Sequence, residues 1–407
     1  MKALVLAAGE GRRLRPLTSN IPKPMIMVAG APFLCHQVRT LESLGVKDLQ
    51  VLVGWKSNRV KELLLGTFPQ LNIEFLEQKE RLGTAHAIGM AENVMDGPFI
   101  CVNGDIIVET DDLKTMISRF ERTGDPVLGA VTVEDPRRFG VIELEGESMK
   151  SILEKPEEPP TDLINAGVMI FNDDVFEEIR NTERSQRGEY EITDTLNQLS
   201  SRMDVQVQRL EGDWIDIAHP WDLLDANQVL MSKIKGRIEG EVEEGATLLG
   251  EVVVEKGARI RAGSYIEGPA YISSGCDVGP NCYIRPNTCL GPNVRVGGAV
   301  EIKNSIIMSG SKIPHHNYLG DSVIGERCNL GCGTKVANLR FDDGSVKVST
   351  ERGVVDSGRR KLGVIMGDDV KTGINSMIDV GTVIFENSRI GPGALAKGLV
   401  SPGSTIF

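Results

Sequence analysis

The sequence predicts a chain in two parts: an α/β domain over the first 230 or so residues, then a parallel β-helix to the C-terminus. Three observations predict it. Apolar strand-like runs alternate with helical patterns from Ala3 to Arg122, as in a mostly parallel sheet with helices on both faces. From Val242 an apolar residue recurs every six positions, twelve times in a row, to Met308. A helix has no period of six and an ordinary strand repeats at two, whereas stacked hexapeptides of a parallel β-helix repeat at six. A length of 407 residues also makes two domains the natural division. The expected boundaries are 1–227 for the α/β domain, 228–240 for a helical linker and 241–407 for the β-helix.

In the first part, Ala3–Ala8 reads as a buried strand and Pro32–Leu44 as a helix. Strands follow at 50–53, 73–76 and 99–102, with helices at 57–65, 84–93 and 111–122, the last with Asp111 or Asp112 near its cap. Ligands on such sheets sit beyond the carboxyl ends of the strands. The stretch Leu6–Lys23, LAAGEGRRLRPLTSNIPK, lies at such an end. Gly9 and Gly11 let the backbone approach a ligand, and Arg12, Arg13, Arg15 and Lys23 place four cations on one loop. That composition suits a polyphosphate. It is neither the dinucleotide motif, since Leu14 replaces the third glycine, nor a P-loop, which needs G-K-[ST].

Composition narrows the function. A net charge of −12 argues against a general nucleic-acid binder and leaves the local cations to hold an anionic ligand. No apolar run approaches the roughly 20 residues of a membrane span, and Met1-Lys2 leads straight into a strand, so no secretory leader is expected. Seven cysteines without a paired C-x-x-C point to reduced thiols and a cytoplasmic protein. Cys328 and Cys332 lack a second ligand pair at zinc spacing. Asp105 directly follows an apolar strand, and Asp216 closes Gly212-Asp213-Trp214-Ile215-Asp216. Two such carboxylates, far apart in sequence and close in space, suit Mg²⁺ bound together with phosphate oxygens; Asp213 and Asp222 are alternatives.

The order G-x-G-x-R…P-K, with Arg13, Pro22 and Lys23, resembles the signature of the sugar-1-phosphate nucleotidylyltransferases, which have a Rossmann-like nucleotidyltransferase domain. Arg12 stands where that family often has Thr. The resemblance continues through Gln78 and Gly83-Thr84 for the base, Gly140, Glu154-Lys155 and Asn165 for the sugar and its phosphate, and Trp214–Asp222 for the metal. It implies that Leu6, Ala8, Gly9 and Gly11 lie against the nucleotide. It further implies that Arg13 holds the leaving pyrophosphate, Lys23 the charge at the α-phosphate and Lys155 the sugar phosphate. Gln78 carries an amide able to pair with a pyrimidine edge, which favours UTP or dTTP.

The hexad phase breaks after Met308, and the column resumes at Ile324, Leu330 and Val336; between them lies Gly310–Asp321, GSKIPHHNYLGD. A second interruption, 338–362, inserts a polar loop before the hexads return from Met366 to Ala396. A repeat that loses its register has usually done so for a site. His315, whose residue type exchanges protons near neutral pH, lies in the first break. Gly310-Ser311-Lys312, His315, Tyr318-Leu319-Gly320-Asp321 and Asn329-Leu330-Gly331 resemble the acetyltransferase site of the bifunctional glucosamine-1-phosphate enzymes, built on a left-handed β-helix.

By that resemblance His315 is the base that deprotonates a sugar amine for attack on acetyl-CoA. Tyr318, Arg285 and Lys303 contact the sugar phosphate and hydroxyls, Asn338 holds the thioester or the oxyanion, and Asn329 and Lys361 are further contacts. The whole chain is similar to the archaeal form of the bifunctional sugar-1-phosphate nucleotidylyltransferase/amino-sugar-1-phosphate N-acetyltransferases, which implies UDP-N-acetylglucosamine synthesis and a homotrimer. Two readings compete with it. One is a single-activity pyrophosphorylase whose β-helix only oligomerises it, against which the His315 cluster argues. The other is a non-catalytic scaffold, against which intact Arg13, Lys23, Asp105 and Asp216 argue.

Overall fold

The structure, a computed structural model, describes residues 1–407. The chain divides into two compact units: Met1–Glu10 with Leu34–Asp216, and Gly11–Phe33 with Ile217–Phe407. No helix is long and apolar enough to cross a membrane.

The first unit is built on a nine-stranded sheet. Its order is Asn72–Glu77, Asp48–Val53, Lys2–Ala7, Phe99–Asn103, Leu163–Phe171, Val127–Thr132, Gln206–Arg209, Ser148–Glu154 and Gly140–Glu145. Lys2–Ala7 runs parallel to both neighbours, with Val5 opposite Val51 and Val102, so its apolar run is buried as expected. The sheet is not mostly parallel, however. Leu163–Phe171 lies antiparallel to both Phe99–Asn103 and Val127–Thr132, and Gly140–Glu145 and Ser148–Glu154 form an antiparallel hairpin, although Gln206–Arg209 runs parallel to Val127–Thr132. Short turns rather than crossover helices join these later strands, which is the reason for the change of direction. Leu4, Phe99 and Phe171 lie in the core, where the Phe99 ring sits 5.9 Å from Phe171 and 5.6 Å from Phe176. Burying each such side chain contributes roughly 1.5–3 kcal/mol before entropy is subtracted.

Two expected helices differ in detail. The helix from Thr84 stops at Gly89, and the chain goes on in tighter turns, with Ala91 N–H on Ile88 C=O and Val94 N–H on Ala91 C=O; glycine is a poor helix former. The helix Thr110–Thr123 has Glu109 at its N-cap and no side-chain cap. Asp112 turns away instead and accepts the backbone N–H groups of Glu211 and Gly212, while Asp111 pairs with Lys114.

The second unit contains three all-parallel sheets of nine, nine and eight short strands, each strand pairing with the third one along the chain, or with the fifth where the hairpin insert intervenes. The apolar column points inward: Val254, Ile272, Leu290, Ile307, Ile324, Met366, Ile384 and Val400 stack in one sheet, and Leu248, Ile266, Ile284, Ile302, Leu319 and Val336 belong to another. The small residues between them, including Ala258, Ser264, Ala270, Cys276, Cys282 and Thr288, are buried too.

The register is not interrupted over 310–321 as the sequence suggested. Ile307, not Met308, continues the column, and Ile313 and Leu319 are inward-facing members of it. Two corners are each one residue shorter, from Ile302 to Ile307 and from Leu319 to Ile324, and that shifts the phase. The second interruption is a true insert, a hairpin of Lys347–Thr350 and Gly353–Asp356. The expected helical linker is helical only at its start: the helix Asp222–Ser232 ends, and Arg237–Ile238 already pairs with Val253–Val254.

Within this unit the segment Gly11–Phe33 packs on the stack. Leu14, Leu17, Ile21 and Ile26 are buried. Asn227, fully buried on the helix Asp222–Ser232, accepts the Ala29 N–H at 2.9 Å and donates to Asn287 C=O at 2.9 Å.

Candidate active sites

In the first unit the carboxyl ends of the parallel strands open into a cavity of about 280 Å³. Leu6, Ala8 and Gly9 leave the strand Lys2–Ala7 along its wall, Gln78 follows Asn72–Glu77, Gly83 and Thr84 open a helix, and Asp105 follows Phe99–Asn103. All seven are residues singled out in the sequence. A Cβ at Gly9 would meet nothing within 4 Å, so its backbone faces open space. Gly83 also serves a backbone crossing: its φ is +113°, and a Cβ there would lie 2.3 Å from Tyr190 C=O. Gln78 is buried, with its amide Nε2 3.2 Å from His86 Nδ1, which fixes the side chain at the cavity wall. Arg81, Asn103 and Glu189 also line the cavity, Asn103 as the last residue of the strand that precedes Asp105.

Asp216 reaches this neighbourhood through a two-residue strand. Ile215–Asp216 pairs antiparallel with Ile106–Ile107, and Asp216 stands opposite Ile106, the residue after Asp105. Arg138 Nη2 is 3.9 Å from the Asp216 carboxylate. Two carboxylates on adjacent backbone segments beside a cavity fit a hard cation that keeps phosphate oxygens and waters as its other ligands. Of the alternatives, Asp222 accepts the N–H groups of Ala218 and His219 at 2.8 and 2.6 Å and so fixes a turn, and Asp213 is exposed.

The sugar-side residues converge through sheet register: Glu154 pairs with Gly140, and Val141 with Ile164 next to Asn165. Asn165 Oδ1 accepts the Gly167 N–H at 2.8 Å across a bulge, and Trp214 Nε1 donates to Ala166 C=O. Lys155 Nζ lies 3.1 Å from Glu154, which also receives Arg187 at 3.1 Å. Burial raises the Glu191 carboxyl above its ordinary value, with nearby Glu154 adding to the effect.

In the second unit Gly11 lies against Lys23, since a Cβ at Gly11 would fall 2.9 Å from Lys23 Cβ, and Thr18 Oγ1 donates to Gly11 C=O at 2.7 Å. Lys23 is nearly buried, and its Nζ donates to Ile217 C=O at 2.5 Å, one residue past Asp216 in the chain. Arg13 is exposed on a 3₁₀ turn.

A second cluster forms on the sheet stack. Arg285, Lys303 and Gly320 follow one another along successive strands. Buried Asp321 organises the group: it accepts Asn338 Nδ2 at 2.6 Å and Asn304 Nδ2 at 2.7 Å, with Lys303 Nζ at 3.5 Å. Asn338 Nδ2 also lies 3.4 Å from the Tyr318 hydroxyl. A Cβ at Gly320 would fall 2.4 Å from Asn338 Nδ2 and 2.8 Å from that hydroxyl, so only glycine lets them meet. Burial raises the Tyr318 phenol, keeping it protonated as a donor. Arg285 Nη1 is held by Glu301 at 2.9 Å. Lys361 sits at the base of the insert, bridged to Leu339, while Leu362 N–H bonds Asn338 C=O.

His315 ends the strand Lys312–His315 with its side chain exposed. Gly298 stands beside it in the preceding turn, and Gly333 N–H bonds its carbonyl from the next. Asn329 is not drawn into the cluster; it pairs with Lys312, three residues before His315, about 10 Å along a strand. Asp321 and Asn304 are the members sequence reasoning passed over, although Asp321 closed a quoted motif.

Residues 2–233 match the family described as nucleotidyl transferase, and 266–391 match the GMPPB C-terminal domain. The chain is 45% identical over 408 residues to the bifunctional protein GlmU of Methanocaldococcus jannaschii, covering 100% of this chain and 97% of the relative. It is 39% identical over 400 residues to a bifunctional sugar-1-phosphate nucleotidylyltransferase/acetyltransferase of Sulfurisphaera tokodaii, covering 98% and 97%. A solved UDP-glucose pyrophosphorylase in complex with UDP-glucose superposes on 57% of this chain and 98% of its own, with a TM-score of 0.52 and 25% identity. With an apolar-column stack following a nucleotidyltransferase sheet, and relatives matched from end to end, the chain belongs to the GlmU-type bifunctional nucleotidylyltransferase/acetyltransferase family.

Proposed function

We infer that this enzyme makes UDP-N-acetylglucosamine in two steps, acetylating glucosamine 1-phosphate with acetyl-CoA and then joining N-acetylglucosamine 1-phosphate to a uridylyl group from UTP. The observation that carries the two-site reading is the convergence of Lys303, Tyr318 and Asn338 on Asp321, in a chain that also carries the Asp105/Asp216 cavity edge. We assign residues 1–227 to nucleotidyl transfer and 241–407 to a left-handed β-helix for acetyl transfer, joined by 228–240. The chain is taken to work as a cytoplasmic homotrimer.

In acetyl transfer, His315 accepts a proton from the sugar amine as its nitrogen attacks the thioester carbon. The C–S bond breaks, and the imidazolium returns the proton to the departing thiolate. Asn338 donates to the oxyanion. Arg285, Lys303 and Lys361 hold the sugar phosphate, Tyr318 a sugar hydroxyl, and Asn329 an outer contact.

In nucleotidyl transfer, a sugar-phosphate oxygen attacks the α-phosphorus while the bond to the β-phosphate breaks and pyrophosphate leaves. The nucleophile is already anionic, so positioning and charge neutralisation supply the catalysis. Arg13 takes the leaving pyrophosphate, Lys23 the α-phosphate charge and Lys155 the sugar phosphate. Gln78 reads the base between the walls formed by Leu6, Ala8, Gly9, Gly83 and Thr84, while Gly140, Glu154 and Asn165 border the sugar. Mg²⁺ held by Asp105 and Asp216 would supply neutralisation of phosphate oxygens.

A panel of UTP, dTTP, ATP and GTP against N-acetylglucosamine and glucose 1-phosphates, scored by pyrophosphate release, tests the specificity. UTP with the N-acetylated sugar should give the highest kcat/KM. A purine triphosphate ahead of both pyrimidines would overturn the role of Gln78.

A further inference from the structure

The turn that carries Asp105 is gripped from two sides. On one side Gly104 N–H bonds Leu6 C=O at 2.9 Å, and a Cβ at Gly104 would lie 2.6 Å from that oxygen, so the turn is pressed onto the strand Lys2–Ala7. On the other, the helix Phe33–Ser43 sends in Gln37. Its amide nitrogen Nε2 donates to Asn103 C=O at 2.6 Å and to Ile106 C=O at 2.8 Å. These are the two carbonyls that flank Gly104-Asp105. An amide NH₂ carries two hydrogens, and both are engaged. Gln37, Asn103, Asp105, Ile106 and Asp216 all belong to the first unit.

Gln37 is 7% exposed, and its Oε1 is buried without a partner. A buried acceptor left unpaired opposes folding. Methionine has nearly the same length and would leave no orphaned oxygen, so packing alone favours it here. What only the amide supplies is the pair of donors to the turn. Ile106 has a second duty, because it stands opposite Asp216 in the two-residue pairing. Holding Ile106 C=O therefore fixes the backbone on which both carboxylates depend. Hydrogen bonds that orient cation ligands from behind set the affinity of a site as much as the ligands do. We propose that Gln37 is a positioning residue for nucleotidyl transfer: by clamping Asn103 and Ile106 it sets the separation of Asp105 and Asp216, and with it the affinity for the divalent cation. The proposal rests on the reading of those two aspartates as the cation pair.

The test uses the full chain and three variants. Gln37→Met removes both donors, and Gln37→Asn keeps the amide but falls one methylene short. Gln50→Met alters another buried glutamine, on the strand Asp48–Val53, two places from Phe99–Asn103 in the sheet. With divalent metal chelated, amide exchange is followed over residues 103–107 and 215–217. With Mg²⁺ varied, pyrophosphate release gives the half-activating concentration and the kcat at saturation. Both Gln37 variants should exchange faster in the two segments and raise the half-activating Mg²⁺ by at least about threefold. Saturating Mg²⁺ should restore kcat to within about threefold of wild type, and acetyl transfer should be unchanged. Gln50→Met should shift neither exchange nor Mg²⁺ dependence.

Unchanged exchange, a smaller shift in half-activating Mg²⁺ in both Gln37 variants, an equal shift in Gln50→Met, or a kcat that saturating Mg²⁺ does not restore would overturn the proposal. Failure of both Gln37 variants to fold would overturn it as well, since the amide would then serve the core. A wild type that needs no divalent cation would overturn the assignment of Asp105 and Asp216 instead, and exchange in the chelated protein would still decide whether Gln37 holds the turn.

Discussion

Asp321 shows how one buried charge can organise a site. Its carboxylate is almost wholly buried, yet it takes two amide donors and faces an ammonium group, which is what makes a buried charge tolerable. Asp321→Ala should leave Asn338 and Lys303 unrestrained and lower acetyl-transfer kcat/KM by about tenfold to a hundredfold, from the roughly 1–3 kcal/mol attached to orphaned buried donors. Nucleotidyl transfer in the same preparation should be unchanged, and steady-state assays of both reactions check this. Lys23 makes the complementary case, since it is nearly buried and its ammonium is anchored on Ile217 C=O. Lys23→Ala should cost on the order of 10²–10³ in nucleotidyl-transfer turnover; a loss of less than threefold in a folded variant removes it from the mechanism. The cysteines make a residue-scale prediction of their own. Burial pushes the thiols of Cys276, Cys289 and Cys328 up to about 12, Cys35, Cys101 and Cys282 are buried as well, and Cys332 alone is partly exposed. A thiol reagent at pH 8 should therefore modify no more than one group quickly in the native chain, and all seven after denaturation.

At the scale of elements, the stacked strands derive their stability from neighbour to neighbour. Ile284 is wholly buried between Ile266 and Ile302. Ile284→Asp should unravel its coil and the next, lowering the thermal midpoint by well over the 2–4 °C that about 1 kcal/mol produces in a unit of this size. An unchanged midpoint would place that column on the outside. Successive turns are also tied at the surface, where Arg261 grips Asp277 at 2.5 and 2.9 Å and holds its carboxyl below the ordinary value. Because the folded-state value is depressed, this contribution is present above the unfolded-state value near 3.9 and is lost as pH falls through the folded one. Asp277→Asn should thus be less stable at pH 7, by at most about 1 kcal/mol for a pair this exposed, and should approach the wild-type midpoint by about pH 2. Thermal melts across pH check both ends.

The inward column was legible because one residue in six must be apolar whatever the neighbours do. The shortened corners were not, because Ile306, Ile307 and Met308 are consecutive and apolar and all three are buried, so composition does not say which one faces the axis. The approach of Asp216 to Asp105 rested on a resemblance. The pairing that carries it is two residues long, too short for any periodicity. Gly83 was legible as a glycine that matters, but its crossing with the Tyr190 backbone was not, because Tyr190 lies more than a hundred residues away.

On the scale of the whole molecule, a nucleotidyltransferase sheet and a repeat stack share one chain that relatives match throughout. In this reading the stack is itself an enzyme rather than only a support. The most direct measurement is free-thiol release from acetyl-CoA with glucosamine 1-phosphate, on wild type and His315→Ala, alongside pyrophosphate release by both. Thiol release should depend on the amino sugar and fall by about 10²-fold or more in His315→Ala, with pyrophosphate release by the variant within twofold of wild type. No thiol release by the wild type, or equal release by the variant, would contradict it.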